Sequence, residues 1–121
     1  SYQPFLPRLT NVLDQPDAAL PIIRAAYDDP AYRDGARMGA IAHWAVHYGD
    51  TGLAFKALER GYVERHGLTL AEIWHPIFAE LRKDARCKDI LRGTGLAQHW
   101  RKTGKWGDFA RPLGEDDFEV W

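Results

Sequence analysis

The chain has one cysteine, Cys87, so no internal disulfide can form. That usage fits a reducing compartment, most simply the cytoplasm. Cys87 lies in a charged helical run with no Gly-rich turn beside it, and reads as a packed structural residue rather than a catalytic thiol. No apolar run approaches the roughly 20 residues that a membrane helix needs, so no membrane partner is expected. The opening SYQPFLPRLTN has no basic region followed by an apolar core, and no signal peptide is read there. The initiator Met is also missing, which suggests a processed chain or a piece of a longer one.

Chemical motifs are equally scarce. There is no Gly-rich phosphate loop, no nucleophile elbow and no Cys/His zinc spacing. His43 and His47 stand four apart on one helix, the spacing of a helical zinc pair, but the position after the first holds Trp44 instead of the Glu that a metalloprotease needs. His66, His75 and His99 are scattered. Asp28-Asp29 and Asp116-Asp117 pair carboxylates with no cleft in view, and read as caps and solvated charge. No cofactor, metal or catalytic residue is assigned, and the expectation is a non-enzymatic protein.

The residues that are present point to helices. With 121 residues, 45% of them apolar, the chain fits a single domain, 1–121, with a real core. In residues 35–65, Met38, Ile41, Ala42, Ala45 and Tyr48 recur at helical spacing and form one apolar stripe. Gly49 and Asp50 interrupt it, and Leu53, Ala54, Ala57, Leu58, Gly61 and Tyr62 form a second. Gly closes a helix because it tolerates positive φ, and Asp50 or Thr51 can cap the next one. So short a link predicts an antiparallel helix pair.

Earlier in the chain, Pro4, Pro7 and Pro16 argue against a long helix over 1–16. Residues 17–28 read as a helix with Ala19, Ile23 and Ala26 inward, and Pro21 suits it only in the first turn. Asp29-Pro30 marks a turn, and a helix can restart at Ala31. His66-Gly67 ends the central hairpin, and Thr69 with Glu72 forms a possible capping box for a further helix. Trp74-His75-Pro76 breaks or kinks that helix. Short helices are read over 84–92 and 96–102, stopped by Gly93, Gly95 and Gly104.

Counted from Gly35, the small residues Ala42, Ala54 and Gly61 fall at positions 8, 20 and 27, with Ile41 at 7 and Leu58 at 24. This pattern resembles the tetratricopeptide repeat, a helix–turn–helix unit of about 34 residues. Met38, Ala45 and His66 replace the family's usual Trp, Tyr and Pro. The helix over 17–28 then reads as the second half of a preceding unit whose apolar face lacks a partner, which suggests self-association, for instance a homodimer.

A further resemblance covers about residues 30–120. Leu81-Arg82, Asp84, Arg86, Gly95-Leu96, Trp100-Arg101, Gly104, Trp106, Asp108-Phe109 and Asp117-Phe118-Glu119 are similar to a C-terminal tail of many bacterial signalling and regulatory proteins. There the tail closes an array of tetratricopeptide-like repeats behind an adenylate-cyclase or winged-helix DNA-binding domain. Cys87 and His99 depart from that pattern, which has an aromatic at the first position and Tyr at the second. The resemblance implies an all-α fold, with tetratricopeptide-like helical hairpins over 17–65 and a C-terminal cap of short helices over 66–121. It also implies a protein-interaction or scaffolding module in the regulatory part of a bacterial signalling protein.

Charge is uneven: residues 1–79 carry a net of −2, residues 80–111 of +5 and residues 112–121 of −4. A basic block beside an acidic tail suggests that the two pair within the fold. The basic run of Arg82, Lys83, Arg86, Lys88, Arg92, Arg101, Lys102, Lys105 and Arg111 interleaves with aromatics, which leaves a nucleic-acid-associated regulator using 82–111 as the alternative. Trp106, Phe109, Leu113 and Phe118 are too apolar for a disordered tail, so residues 104–121 are expected to dock as a cap. Trp74, Trp100, Trp106 and Phe109 are the candidate partner-binding residues, because large rings supply contact area at low entropic cost.

Overall fold

The computed structural model describes residues 5–32, 35–64 and 72–121. The chain divides into two compact units, Ser1–Thr69 and Leu70–Trp121. The described residues form seven α-helices and one two-stranded sheet, so the fold is mainly α rather than all-α.

The first unit begins with α1 (Phe5–Leu9) and a 3-10 turn (Thr10–Val12). Pro7 falls in the first turn of α1, where the missing N–H costs nothing. This short helix packs on α2 (Pro16–Asp28), and Leu9 is fully buried. Residues near the start therefore cover part of α2, which the sequence left without a partner helix. Within α2, Pro16 occupies the favourable first position. Pro21 lies deeper than the first turn that the sequence reading required, at the sixth residue of the helix. It sits on the exposed face, while Ala19, Ile23 and Ala26 are the buried residues.

After a 3-10 turn (Pro30–Tyr32), α3 (Gly35–His47) and α4 (Thr51–Glu59) make the most extensive packing of this unit. Their link follows from local chemistry. Gly49 adopts φ +83°. The Asp50 N–H donates to the Ala45 carbonyl at 2.8 Å and the Gly49 N–H to Val46 at 3.0 Å, the two bonds of a Schellman ending. Asp50 Oδ1 then accepts the Leu53 N–H at 3.0 Å and caps α4. The other oxygen of Asp50 accepts from Arg24 Nε at 3.1 Å and Nη2 at 3.0 Å, so one carboxylate ties α2 to the start of α4.

Met38, Ile41, Ala42 and Ala45 of α3, and Leu53, Ala54, Ala57 and Leu58 of α4, are buried as their periodicity predicts. Phe55 joins them. Tyr48 is only half-buried, because its hydroxyl reaches out to donate to the Leu13 carbonyl at 2.6 Å. A π-helical turn (Arg60–Glu64) extends α4 and keeps Gly61 and Tyr62 inside. The helix end at His66-Gly67 and the capping box of Thr69 lie outside the described residues.

The second unit opens with 3-10 turns over Glu72–Trp74 and Pro76–Phe78. Pro76 prevents their fusion into one helix, and His75 Nδ1 accepts the Ile77 N–H at 3.2 Å. Three short helices follow: α5 (Ala79–Arg82), α6 (Ala85–Gly93) and α7 (Leu96–Thr103). Asp84 caps α6, and Gly104 at φ +68° ends α7.

The sequence reading of a cap built from short helices does not extend to its end. Residues beyond α7 form a hairpin of β1 (Ala110–Leu113) and β2 (Asp117–Val120), paired Ala110 to Val120 and Leu113 to Asp117. Gly114 turns the chain at φ +73°. Phe118 and Val120 alternate inward on β2 with half-buried Asp117 and Glu119, the period of a strand. Of the four expected anchors, Phe118 is buried and Trp106 half-buried, whereas Phe109 and Leu113 are exposed. Ala110 and Val120 are the buried residues in their place. No described helix is long and apolar enough to cross a membrane.

Candidate functional site

The four aromatic residues singled out from the sequence meet in one cluster of the second unit. Trp74 comes from the first 3-10 turn, Trp100 from α7, and Trp106 and Phe109 from the segment leading into β1. Trp100 is the hub, 6% exposed. Its ring centroid lies 6.3 Å from Trp74, 5.4 Å from Trp106 and 6.2 Å from Phe118, the last edge-on. Trp74 and Phe109 stack at 5.8 Å with their planes 21° apart, an offset arrangement that the ring quadrupoles favour.

Trp74, Trp100 and Phe109, with Leu96, wall a pocket of about 320 Å³. Phe109 is 43% exposed at this opening. Asp108 also lines the pocket, is exposed, and makes no ion pair or hydrogen bond among the described residues. Trp106 lies on the other side of the hub, against Phe118 at 6.0 Å, with the Arg101 guanidinium 5.4 Å over its ring. It supports the cluster and does not line the pocket. Leu96 and Asp108 went unassigned as site residues in the sequence. Each adjoins a conspicuous neighbour, Gly95 and Phe109, but neither has a side chain that signals binding by itself.

Behind the stacked pair stands Arg82, 6% exposed. Its Nη1 donates to the Ile73 carbonyl at 3.0 Å and the His75 carbonyl at 3.1 Å, and its Nε to the Trp121 carbonyl at 3.0 Å. The guanidinium carbon is 5.8 Å from the Trp74 ring centre and 5.6 Å from that of Phe109. One buried cation thus joins the 3-10 turns to the end of β2 and fixes the rings that form the wall.

Most of the rest of the basic run turns toward acidic and carbonyl oxygens. Lys83 pairs with Glu80 at 3.2 Å, Arg86 with Asp84 at 3.1 Å, and Arg111 with Glu119 across the hairpin. Lys88 and Arg92 both reach Asp117 Oδ1, each at 3.2 Å. Arg101 donates to the carbonyls of Gly114 and Asp117. The Phe118 N–H at 2.8 Å, and then Lys88, hold the Asp117 carboxyl below its ordinary value of 3.8. Asp117 is therefore the clasp of the hairpin, and the expected pairing of basic block with acidic tail takes this form.

The remaining candidates stay apart from the pocket. His47 packs edge-on against Trp44 at 5.6 Å and against Tyr48 at 4.8 Å. Among the described residues, no three His, Cys, Asp or Glu side chains gather as a metal site would require. Cys87 is fully buried, and burial pushes its thiol up from 9.0 to about 11 against the pull of Arg82. A thiol so placed is a poor nucleophile at neutral pH. No known family model, curated protein or solved structure matches the chain.

Proposed function

We propose that the chain is a non-enzymatic protein-interaction module, the C-terminal regulatory part of a bacterial signalling protein, and that its pocket of Trp74, Leu96, Trp100 and Phe109 receives one apolar side chain of a partner. The observation that carries this reading is a half-open aromatic pocket with a rigid back wall, held by Arg82. Its volume, about 320 Å³, suits one large side chain. Asp108, unpaired among the described residues and at the same pocket, favours a partner segment with a basic residue beside that anchor.

The first unit supports the tetratricopeptide-like part of the reading. Ala42, Ala54 and Gly61, the small positions of such a repeat, are all buried along the α3–α4 hairpin. The nucleic-acid alternative draws less support. In the basic run, only Lys102 and Lys105 lack a carboxylate or carbonyl partner among the described residues, and the closely spaced phosphates of a nucleic-acid backbone call for a long tract of such cations.

Selection of displayed peptides on the full chain, counter-selected on Phe109→Ala, tests the proposal. Enriched peptides should share one large apolar residue next to Lys or Arg, and should quench tryptophan emission on binding. Enrichment that is equal on both proteins, or none at all, would overturn it.

A further inference from the structure

The second unit has another concave surface, which the aromatic pocket does not use. A cleft of about 650 Å³ opens among α5, α6 and the hairpin. Arg82, Lys83, Lys88 and Arg111 line it against a single carboxylate, Glu119. Trp121, Leu113 and Val120 supply an apolar wall, and the Arg111 guanidinium lies 5.8 Å over the Trp121 ring.

Charge in this cleft is only partly balanced. Lys83, Lys88 and Arg111 each have a carboxylate partner, in Glu80, Asp117 and Glu119. Arg82 has none among the described residues, although it is 6% exposed. Its Nε and Nη1 are satisfied by carbonyls, but Nη2 makes no hydrogen bond among the described residues. A buried guanidinium without a counter-charge is an unfavourable arrangement, and carbonyl dipoles offset it only in part. An anion in the cleft would complete it.

We propose that this cleft binds a small phosphomonoester with an apolar or aromatic body. The lining favours an anion with several acceptor oxygens, since Arg82 Nη2 makes no hydrogen bond among the described residues and Lys83, Lys88 and Arg111 each have donors beyond their one carboxylate partner. A phosphomonoester offers three acceptor oxygens at pH 7, where a carboxylate offers two. Arginine forks and lysine ammoniums are the usual phosphate ligands. The volume exceeds what a bare phosphate fills, and Trp121, Leu113 and Val120 give the remainder of the ligand an apolar surface. This assignment does not depend on the aromatic pocket.

Calorimetric titration of the full chain at fixed ionic strength tests it, with phenyl phosphate, inorganic phosphate and benzoate as probes. Phenyl phosphate should bind saturably at one site, more tightly than inorganic phosphate and at least about tenfold more tightly than benzoate. The double variant Lys83→Gln/Arg111→Gln should weaken phenyl phosphate by at least about tenfold, while Lys102→Gln/Lys105→Gln should leave it unchanged. If the first variant does not fold, Lys83→Gln alone serves, because Lys83 is exposed and paired only within α5 and its end. The proposal is overturned by no saturable binding of phenyl phosphate, by benzoate binding as tightly, or by equal loss in the cleft and control variants.

Discussion

Cys87 is inert because of where it lies. The folded state holds its thiol protonated up to about 11, while the unfolded chain ionises near 9.0. The folded state therefore binds more protons between these values, and stability falls as pH rises through that window. At full effect this amounts to roughly 2–3 kcal/mol. Denaturant unfolding at pH 7 and pH 10.5 should show wild type losing more stability than Cys87→Ala; equal losses would refute the assignment. Asp117 works in the opposite direction. Its folded pKa is lowered, so the stability it contributes is present above the unfolded value of 3.8 and is lost as pH falls through the folded one. Asp117→Asn should be less stable than wild type at pH 7, and the gap should close on titration to pH 2. A gap that persists in acid would mean that packing, not charge, is what the substitution disturbed. Both residues were visible in the sequence as types, a lone cysteine and one of a pair of acids. Their roles were not, because each depends on neighbours from distant positions, such as Lys88 for Asp117.

Elements were legible where one local rule decides them. The helical period marked the buried face of α2, α3 and α4, and Gly49-Asp50 marked the link, because cap chemistry acts within a few residues. Gly49 sits at φ +83° with open space around it, so Gly49→Ala meets no clash and only backbone strain. Thermal unfolding should register a loss of about 1 kcal/mol. Ala54→Leu is a different case: Ala54 is fully buried in the α3–α4 hairpin, and added methylenes overpack it by about 1–3 kcal/mol. An unchanged melting temperature for Ala54→Leu would show that the helices do not approach closely there. α2 was read within one residue of its start, but Pro21 lies past the first turn to which the reading confined it, since an exposed proline there costs helix stability without ending a helix whose other face is buried. The hairpin Ala110–Val120 escaped the sequence, because strands of four residues show too few alternations to distinguish from a loop.

For the whole chain, the largest effect expected is from the hairpin. Phe118 packs against Trp100 and Trp106, and the Trp121 carbonyl accepts from Arg82, so removal of residues 104–121 uncovers the aromatic hub. Burying one such ring contributes about 1.5–3 kcal/mol. The truncated chain should melt lower and bind an apolar dye; a remainder of undiminished stability would show the segment to be dispensable. The sequence by itself determined the helical character and the α3–α4 turn, because composition, period and cap residues act locally. Only the tertiary structure decided that Trp74, Trp100 and Phe109 share one pocket while Trp106 stands behind it. It also decided that Lys88, Arg92 and Arg101 close on the hairpin, and that Arg82 is buried against both rings and carbonyls. Those outcomes rest on contacts between residues as far apart as Arg82 and Trp121, and no local pattern encodes which distant partner a side chain meets.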